Sequence, residues 1–233
     1  MTDPKVIVAL DYNSADEALS FASKVSPSDC RLKIGNELFT TAGPSLVREL
    51  CDKGFGIFLD LKFHDIPNTV AKACEAAAKL GVWLVNVHAS GGELMMRKAA
   101  ETLLKYDHRP KLIAVTVLTS MDRKQLSGIG LDLEPCEQVR RLARLACDSG
   151  LDGVVSSARE VSMIKEICGR DFLCVTPGIR PQSANLDDQK RVMTPAEAVR
   201  AGSDYLVIGR PVTKAEDPVK ALEIINEEIS KAL

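Results

Sequence analysis

Several sequence patterns that mark a cofactor or metal site are missing from this chain of 233 residues. Neither glycine-rich phosphate loop, G-x-G-x-x-G or G-x-x-x-x-G-K-[ST], occurs, and there is no H-E-x-x-H motif. The seven cysteines are odd in number, and no two are spaced as C-x-x-C. A zinc site and a disulfide framework are therefore both poor interpretations, and we predict reduced thiols.

The composition also gives no sign that the protein binds nucleic acid or associates with a membrane. Aromatic residues make up 4% of the chain, and 30 basic and 32 acidic residues leave a net charge of −2. That balance gives no general attraction to nucleic acid or anionic lipid, and so few aromatics do not make a base-stacking platform. No apolar stretch approaches the roughly 20 residues that span a bilayer. The first residues lack the pattern of a signal peptide, so we expect a cytoplasmic protein.

Short apolar runs alternate with helical segments along the whole sequence. Such alternation indicates a parallel sheet covered by helices, and eight units in this length favour an α/β fold of the (β/α)₈ TIM-barrel type over an open sheet. With no linker in the sequence, we predict one catalytic domain spanning residues 1–233. The predicted strands are 5–11, 31–35, 56–63, 83–88, 111–116, 153–156, 172–175 and 205–209. The first predicted helix is capped by Asn13 or Ser14, and Glu17, three residues after Ser14, fits a capping box. The other predicted helices include 46–50, 70–80, 93–105, 136–149, 158–167, 195–201 and 218–232.

The third strand ends in an unusual group of charges, D-L-K-F-H-D-I-P-N-T from Asp60 to Thr69. Residues two apart on a strand point to the same face, so Asp60 and Lys62 are predicted to lie side by side. Opposite charges on a buried strand are costly unless they are paired, and such groups are more typical of reaction sites than of ordinary packing. We therefore predict that this strand end belongs to an active site.

Other polar residues stand at the C-terminal ends of the predicted strands, where barrels place their active sites. Asp11 and Lys33 end the first two strands. They could contact sugar hydroxyls, or they could form a structural ion pair at the barrel mouth. Both interpretations remain open for each residue alone, but together with Asp60, Lys62 and Asp65 they make an alternating charge array that favours function.

The segment I-G-R-P after the eighth strand has the composition of a phosphate site. Gly209 lets the backbone approach a ligand closely, and Arg210 offers paired donors to an anion. A short helix beginning near Pro211 would direct backbone N–H groups to the same place, and barrels often bind phosphate here. The alternative is a strand-end glycine beside a surface arginine.

A long polar loop follows the seventh strand, from 176 to 191. Its residues Arg180 and Gln189 could close over an anionic ligand and exclude water. A plain solvated connection is the alternative.

Taken together, these segments resemble the orotidine 5′-phosphate decarboxylase family, in its bacterial form. The D-x-K-x-x-D core alone is shared with sugar-phosphate decarboxylases and aldolases of the same suprafamily. The complete set is more specific, and the resemblance covers essentially the whole chain. The matching segments are 8–11, 32–35, 60–69, 117–120, 176–181 and 207–211.

The resemblance implies decarboxylation of orotidine 5′-phosphate to UMP, in pyrimidine synthesis, without a metal or an organic cofactor. Lys62 would protonate C6 of the pyrimidine, and Asp60 would lie next to the substrate's carboxylate. Asp65 would reach the ribose bound by the other subunit of a homodimer with shared active sites. The further substrate contacts implied are Asp11 and Lys33 at the ribose, Ile66 and Thr69 beside Asp65, Thr119 and Ser120 at the pyrimidine, and Arg180, Gln189, Gly209 and Arg210 at the phosphate.

Two other functions compete with this one. A Mg²⁺-dependent decarboxylase of a keto-sugar phosphate would need an acidic metal ligand at the end of strand two, where this chain has Lys33. Glu37 is nearby but lies beyond Gly35. A nucleotide-binding module on the same scaffold would not need a proton donor such as Lys62.

Overall fold

The computed structural model describes residues 3–181 and 193–233. In this part of the chain eight parallel strands close into a barrel, in which each strand pairs with its neighbours in chain order and the eighth pairs with the first. The predicted (β/α)₈ barrel is therefore confirmed. The strands are β1 (Val6–Ala9), β2 (Arg31–Gly35), β3 (Ile57–Phe63), β4 (Leu84–His88), β5 (Lys111–Val115), β6 (Gly153–Val155), β7 (Leu173–Thr176) and β8 (Tyr205–Ile208).

Helices cover the outside of the barrel, and most begin within three residues of the predicted position. Of the two predicted caps of the first helix, the structure has Ser14, whose hydroxyl accepts a hydrogen bond from the backbone N–H of Glu17 at 3.3 Å. The helices are α1 (Ala15–Ala22), α2 (Asn36–Asp52), α3 (Pro67–Lys79), α4 (Glu93–Leu103), α5 (Arg123–Gly128), α6 (Pro135–Asp148), α7 (Val161–Cys168), α8 (Pro195–Arg200), α9 (Arg210–Thr213) and α10 (Pro218–Ser230).

Two helices differ from the sequence-based expectation. α2 begins at Asn36, directly after β2, and is kinked where Gly43 has φ +67° ahead of Pro44. The sequence predicted only the second half of this helix, because a glycine–proline pair usually marks the end of a helix. α5 was not predicted at all, since it has only six residues.

Side chains alternate between the inside and the outside of the barrel. Ile7, Phe58 and Ile113 belong to an inner cluster that fills the barrel, whereas their strand neighbours pack outward against the helices. The inner positions continue upward to Asp60 on β3, so the barrel interior changes from apolar to charged at the C-terminal ends of the strands.

The opposite end of the barrel is closed by a compact group around Arg31. The Arg31 guanidinium lies 4.1 Å from the ring centre of Trp83 and 5.0 Å from that of Tyr205, and it pairs with Asp3 at 2.7 Å. Cation–π contacts and this ion pair satisfy its charge within the fold. The C-terminal ends of the strands are therefore the open end of the barrel.

Gly153 allows β6 to lie close to β7. A Cβ atom added at this position would lie 2.3 Å from the backbone oxygen of Leu173, well inside van der Waals contact. Because both strands pair in register here, neither can shift without disturbing the barrel wall.

We predict that Gly153→Ala lowers the free energy of unfolding by about 1–3 kcal/mol through overpacking. Gly128→Ala is the matched control, because an added Cβ meets no atom within 4 Å there, and it should change stability by less than about 0.5 kcal/mol. Urea unfolding followed by the fluorescence of the single tryptophan, Trp83, measures both variants. Equal stabilities of the two variants would contradict the prediction.

Candidate active site

The carboxylate of Asp60 is the centre of the charged group at the barrel mouth. Its Oδ1 atom lies 2.7 Å from Lys62 Nζ and accepts a second hydrogen bond from Asn86 Nδ2, also at 2.7 Å. Its Oδ2 atom lies 3.4 Å from Lys33 Nζ, which is in turn 3.4 Å from Asp11 Oδ1. The predicted side-by-side placement of Asp60 and Lys62 is confirmed, and Asp11 and Lys33 join them.

The members of this group differ in burial. The side chains of Asp60 and Lys33 are 12% and 11% exposed, whereas those of Lys62 and Asp11 are 31% and 66% exposed. A buried carboxylate is tolerated only when donors and cations surround it, which is the case for Asp60. The Lys62 ammonium is thus held against a buried anion while part of its surface remains accessible to a ligand.

The backbone reason for this placement is different from the one that the sequence suggested. β3 and β4 pair regularly up to Leu59 opposite Val85, and pairing resumes at Phe63 opposite Val87. Three residues of β3 therefore stand opposite one residue of β4, which is a bulge. Within it Lys62 has φ +53°, a left-handed conformation found at no other non-glycine residue of the described chain. The prediction that regular strand pleating places Asp60 and Lys62 on the same face was therefore wrong about the cause.

A cavity of about 200 Å³ lies against the charged group. Lys33, Asp60 and Lys62 form one wall, and Thr119 stands at another. Most of the remaining wall is apolar, which suits a flat ring with one reactive edge facing the charges. The other lining residues are Phe58, Val115, Val117, Leu118, Val155, Ser156, Pro177 and Val207.

A second cavity, of about 220 Å³, adjoins the first and shares Lys33, Pro177 and Val207 with it. It also includes two arginines and the glycine predicted to bind an anion, Arg180, Arg210 and Gly209. α9 begins at Arg210 with Pro211 in its first turn, as expected. The two cavities form one cleft, with a lysine–aspartate group at one end and arginines at the other.

Eight of the predicted site residues line this cleft. They are Asp11, Lys33, Asp60, Lys62, Thr119, Arg180, Gly209 and Arg210.

Four other predicted residues, Asp65, Ile66, Thr69 and Ser120, are exposed and line neither cavity of the single chain. The Asp65 carboxylate accepts a hydrogen bond from the backbone N–H of Ile66 at 2.6 Å. Gln189 lies outside the described residues.

Sequence reasoning missed Asn86, which is fully buried and bonded to Asp60. A signal was available in the sequence, because an asparagine inside the apolar strand L-V-N-V is costly to bury unless its amide is hydrogen-bonded. The apolar cavity wall was also missed, since its residues are no different in type from ordinary core residues.

The histidines and cysteines are not part of the cleft lining. His64 and His88 stack with their ring centres 5.5 Å apart, and burial together with the nearby positive charge lowers the pKa of His88. Burial raises the pKa of Cys30, Cys74 and Cys174 to about 12, so these thiols stay protonated at neutral pH. All seven cysteines are free.

The described residues contain neither a candidate metal site nor a candidate membrane span. No group of three or more His, Cys, Asp and Glu side chains there is arranged to hold a metal ion. No helix among the described residues has the length and apolar character needed to cross a membrane.

Known proteins resemble this chain over almost its full length. Residues 4–225 match the sequence profile of the Orotidine 5′-phosphate decarboxylase / HUMPS family. An orotidine 5′-phosphate decarboxylase of Aliivibrio fischeri is 60% identical over 234 aligned residues, covering 100% of both chains. That of Pseudoalteromonas atlantica is 60% identical over 231, covering 99% of this chain and 100% of the relative. The crystal structure of orotidine 5′-phosphate decarboxylase from Lactobacillus acidophilus has a TM-score of 0.88 at 43% identity, covering 97% of this chain and 99% of that one.

Proposed function

This chain belongs to the orotidine 5′-phosphate decarboxylase / HUMPS family, and we propose that it converts orotidine 5′-phosphate to UMP and CO₂ without a metal or an organic cofactor. It is a carboxy-lyase of pyrimidine biosynthesis. The observation that carries the proposed mechanism is the Lys62 ammonium, held 2.7 Å from the buried Asp60 carboxylate at the wall of a largely apolar cavity. We propose one catalytic domain, residues 1–233.

The cleft accommodates the substrate in one orientation. The phosphate dianion goes to the cavity with Arg180, Gly209 and Arg210, because paired guanidinium donors bind it best. The pyrimidine goes to the cavity next to Lys62 and Thr119. Lys33, which lines both cavities, and Asp11 then lie beside the ribose hydroxyls.

The reaction needs a cation at C6. When the bond between C6 and the carboxylate carbon breaks, CO₂ leaves and the electron pair remains on C6. An ammonium already positioned there stabilises this charge as it develops, and then transfers a proton to C6. Lys62 becomes neutral in this step and regains its proton from solvent. The apolar walls strengthen the electrostatic effect because they keep water away from the reacting carbon.

Asp60 has two effects in this scheme. Its negative charge favours the charged form of Lys62 and fixes the position of the ammonium. It also faces the substrate's carboxylate, and CO₂ loss relieves the repulsion between the two anions.

Asp65 and its neighbours are proposed to act across a dimer interface. In the single chain Asp65 is exposed and lines neither cavity. Next to it Ile66 is 68% exposed, and Leu94 in the first turn of the neighbouring helix α4 is 75% exposed. Exposed apolar side chains of this size favour a covered surface. A second copy of the chain would cover them and bring Asp65, Ile66 and Thr69 to the partner's ribose.

Loss of orotidine 5′-phosphate absorbance tests the reaction itself. We expect turnover by the purified chain, unchanged after treatment with EDTA. No turnover would contradict the proposed function, and loss of turnover with EDTA, restored by Mg²⁺, would favour the metal-dependent alternative.

We predict that Lys62→Ala reduces kcat by about 10⁴-fold or more, because both the proton donor and the charge at C6 are lost. UMP affinity should change by less than about tenfold, because the phosphate contacts remain. Lys220→Ala, which removes an exposed lysine of α10, is the control and should leave kcat unchanged. Near-normal turnover of Lys62→Ala would disprove the role of Lys62, and an equal loss of UMP binding would make it a binding residue.

Mixed dimers test the shared site. Lys62→Ala and Asp65→Ala subunits should each be inactive alone, but a heterodimer regains one site with Lys62 from one subunit and Asp65 from the other. Random mixing of equal amounts should restore about a quarter of wild-type activity, since half of the dimers are mixed and each has one intact site. The control mixes Lys62→Ala with the double variant and should stay inactive. No recovery in verified heterodimers would contradict a shared site.

A further inference from the structure

We propose that Asn86 is a positioning residue, which fixes the backbone of Lys62 and the carboxylate of Asp60 at the same time. The expected effect of Asn86 on turnover rests on the proposed function. Its effect on the position of Lys62 rests only on the contacts around the bulge of β3.

Asn86 occupies the place in β4 where backbone pairing with β3 is interrupted. It is the single β4 residue between the pairs Leu59–Val85 and Phe63–Val87. The bulge leaves backbone groups of β3 without their regular ladder partners, and a buried backbone N–H without a partner is costly. The side-chain oxygen of Asn86 supplies the missing acceptor, because it accepts from the Lys62 N–H at 2.8 Å.

The other end of the same amide holds the carboxylate. Asn86 Nδ2 donates to Asp60 Oδ1 at 2.7 Å, the same oxygen that Lys62 Nζ approaches at 2.7 Å. One planar side chain therefore connects the main chain of Lys62 to the ion-pair partner of its own ammonium. Because Asn86 is fully buried, water cannot replace either hydrogen bond.

The strain at Lys62 explains why this connection matters. A left-handed conformation costs a residue with a side chain roughly 1–2 kcal/mol, and it persists only where the surroundings enforce it. Without the Asn86 acceptor, the backbone of Lys62 is free to relax and the ammonium moves with it. A displacement of about 1 Å at a reacting group is enough to slow a reaction about 10²-fold.

The chemistry of the site requires an amide at this position. Leucine has a similar shape but neither donor nor acceptor, so it leaves the N–H of Lys62 unsatisfied. Aspartate keeps the acceptor but places a second carboxylate against Asp60. Of these three side chains, only asparagine can accept from an N–H on one side and donate to a carboxylate on the other.

The test compares Asn86→Leu with a matched control. Thr116→Val also removes a buried polar group, a hydroxyl that donates to the Val155 carbonyl at 3.1 Å. We expect Asn86→Leu to reduce kcat by about 10²-fold or more, with KM and UMP affinity changed by less than about threefold. Thr116→Val should retain the wild-type kcat. In a crystal structure of Asn86→Leu, Lys62 should leave φ +53° and its Nζ should separate from Asp60 Oδ1.

Asn86→Asp provides a readout that packing alone does not affect. The charged group in direct contact with the new carboxylate is Asp60 of β3, and the Lys62 ammonium contacts the same Asp60 oxygen. Lys33 of β2 and Asp11 after β1 follow in the chain of ion pairs from Asp60, and His88 lies two residues further along β4. Lowering the pH lets the two adjacent carboxylates share a proton and restores a donor to Asp60. The ratio of variant to wild-type kcat should therefore rise by about tenfold between pH 8 and pH 5 for Asn86→Asp, and stay flat for Asn86→Leu.

Each outcome decides the inference. A normal kcat in Asn86→Leu, an unmoved Lys62 in its crystal structure, or a flat ratio for Asn86→Asp would overturn it. So would failure of both variants to fold while Thr116→Val folds, because Asn86 would then be a structural residue. If the wild-type chain does not decarboxylate orotidine 5′-phosphate, the proposed function is wrong. The crystal structure of Asn86→Leu then still tests whether Asn86 fixes the position of Lys62.

Discussion

The buried carboxylate of Asp60 is the constraint on which the mouth of this barrel depends. Its side chain is 12% exposed, and a carboxylate at that depth must be surrounded by donors and cations. Lys62, Lys33 and Asn86 meet that need from three neighbouring strands, β3, β2 and β4. The same contacts that stabilise Asp60 hold the Lys62 ammonium at the cavity wall, so the stability of the site and its proposed chemistry have one origin.

The barrel separates stability from function along its axis. At the closed end the charge of Arg31 is satisfied by two aromatic rings and Asp3. At the open end Lys62 lies beside a cavity, and its backbone is held in a left-handed conformation. Strain that surrounding contacts enforce is typical of sites where a side chain must be held ready for one geometry.

Much of this arrangement could be predicted from the sequence. Alternating apolar runs predict the eight strands, and charged residues after those runs predict the lining of the cleft, from Asp11 to Arg210. The bulge could not be predicted, because it depends on the register between β3 and β4, which pleating within one strand does not reveal. The role of Asn86 could not be predicted for a related reason. Its two hydrogen-bond partners are 24 and 26 residues away in the chain, so only the packing of β3 against β4 brings them together. Asp65 differs from both, since among the described residues it is exposed and lines neither cavity of the cleft.

The central claim is that the Lys62 ammonium, fixed by Asp60, stands at C6 of the bound pyrimidine. A crystal structure with UMP bound measures this most directly, through the distance from Lys62 Nζ to C6. We predict a distance of about 3–3.5 Å, a preserved contact between Lys62 and Asp60, and the phosphate against Arg210. A pyrimidine bound with C6 away from Lys62, or a Lys62 that leaves Asp60 when the nucleotide binds, would contradict the account.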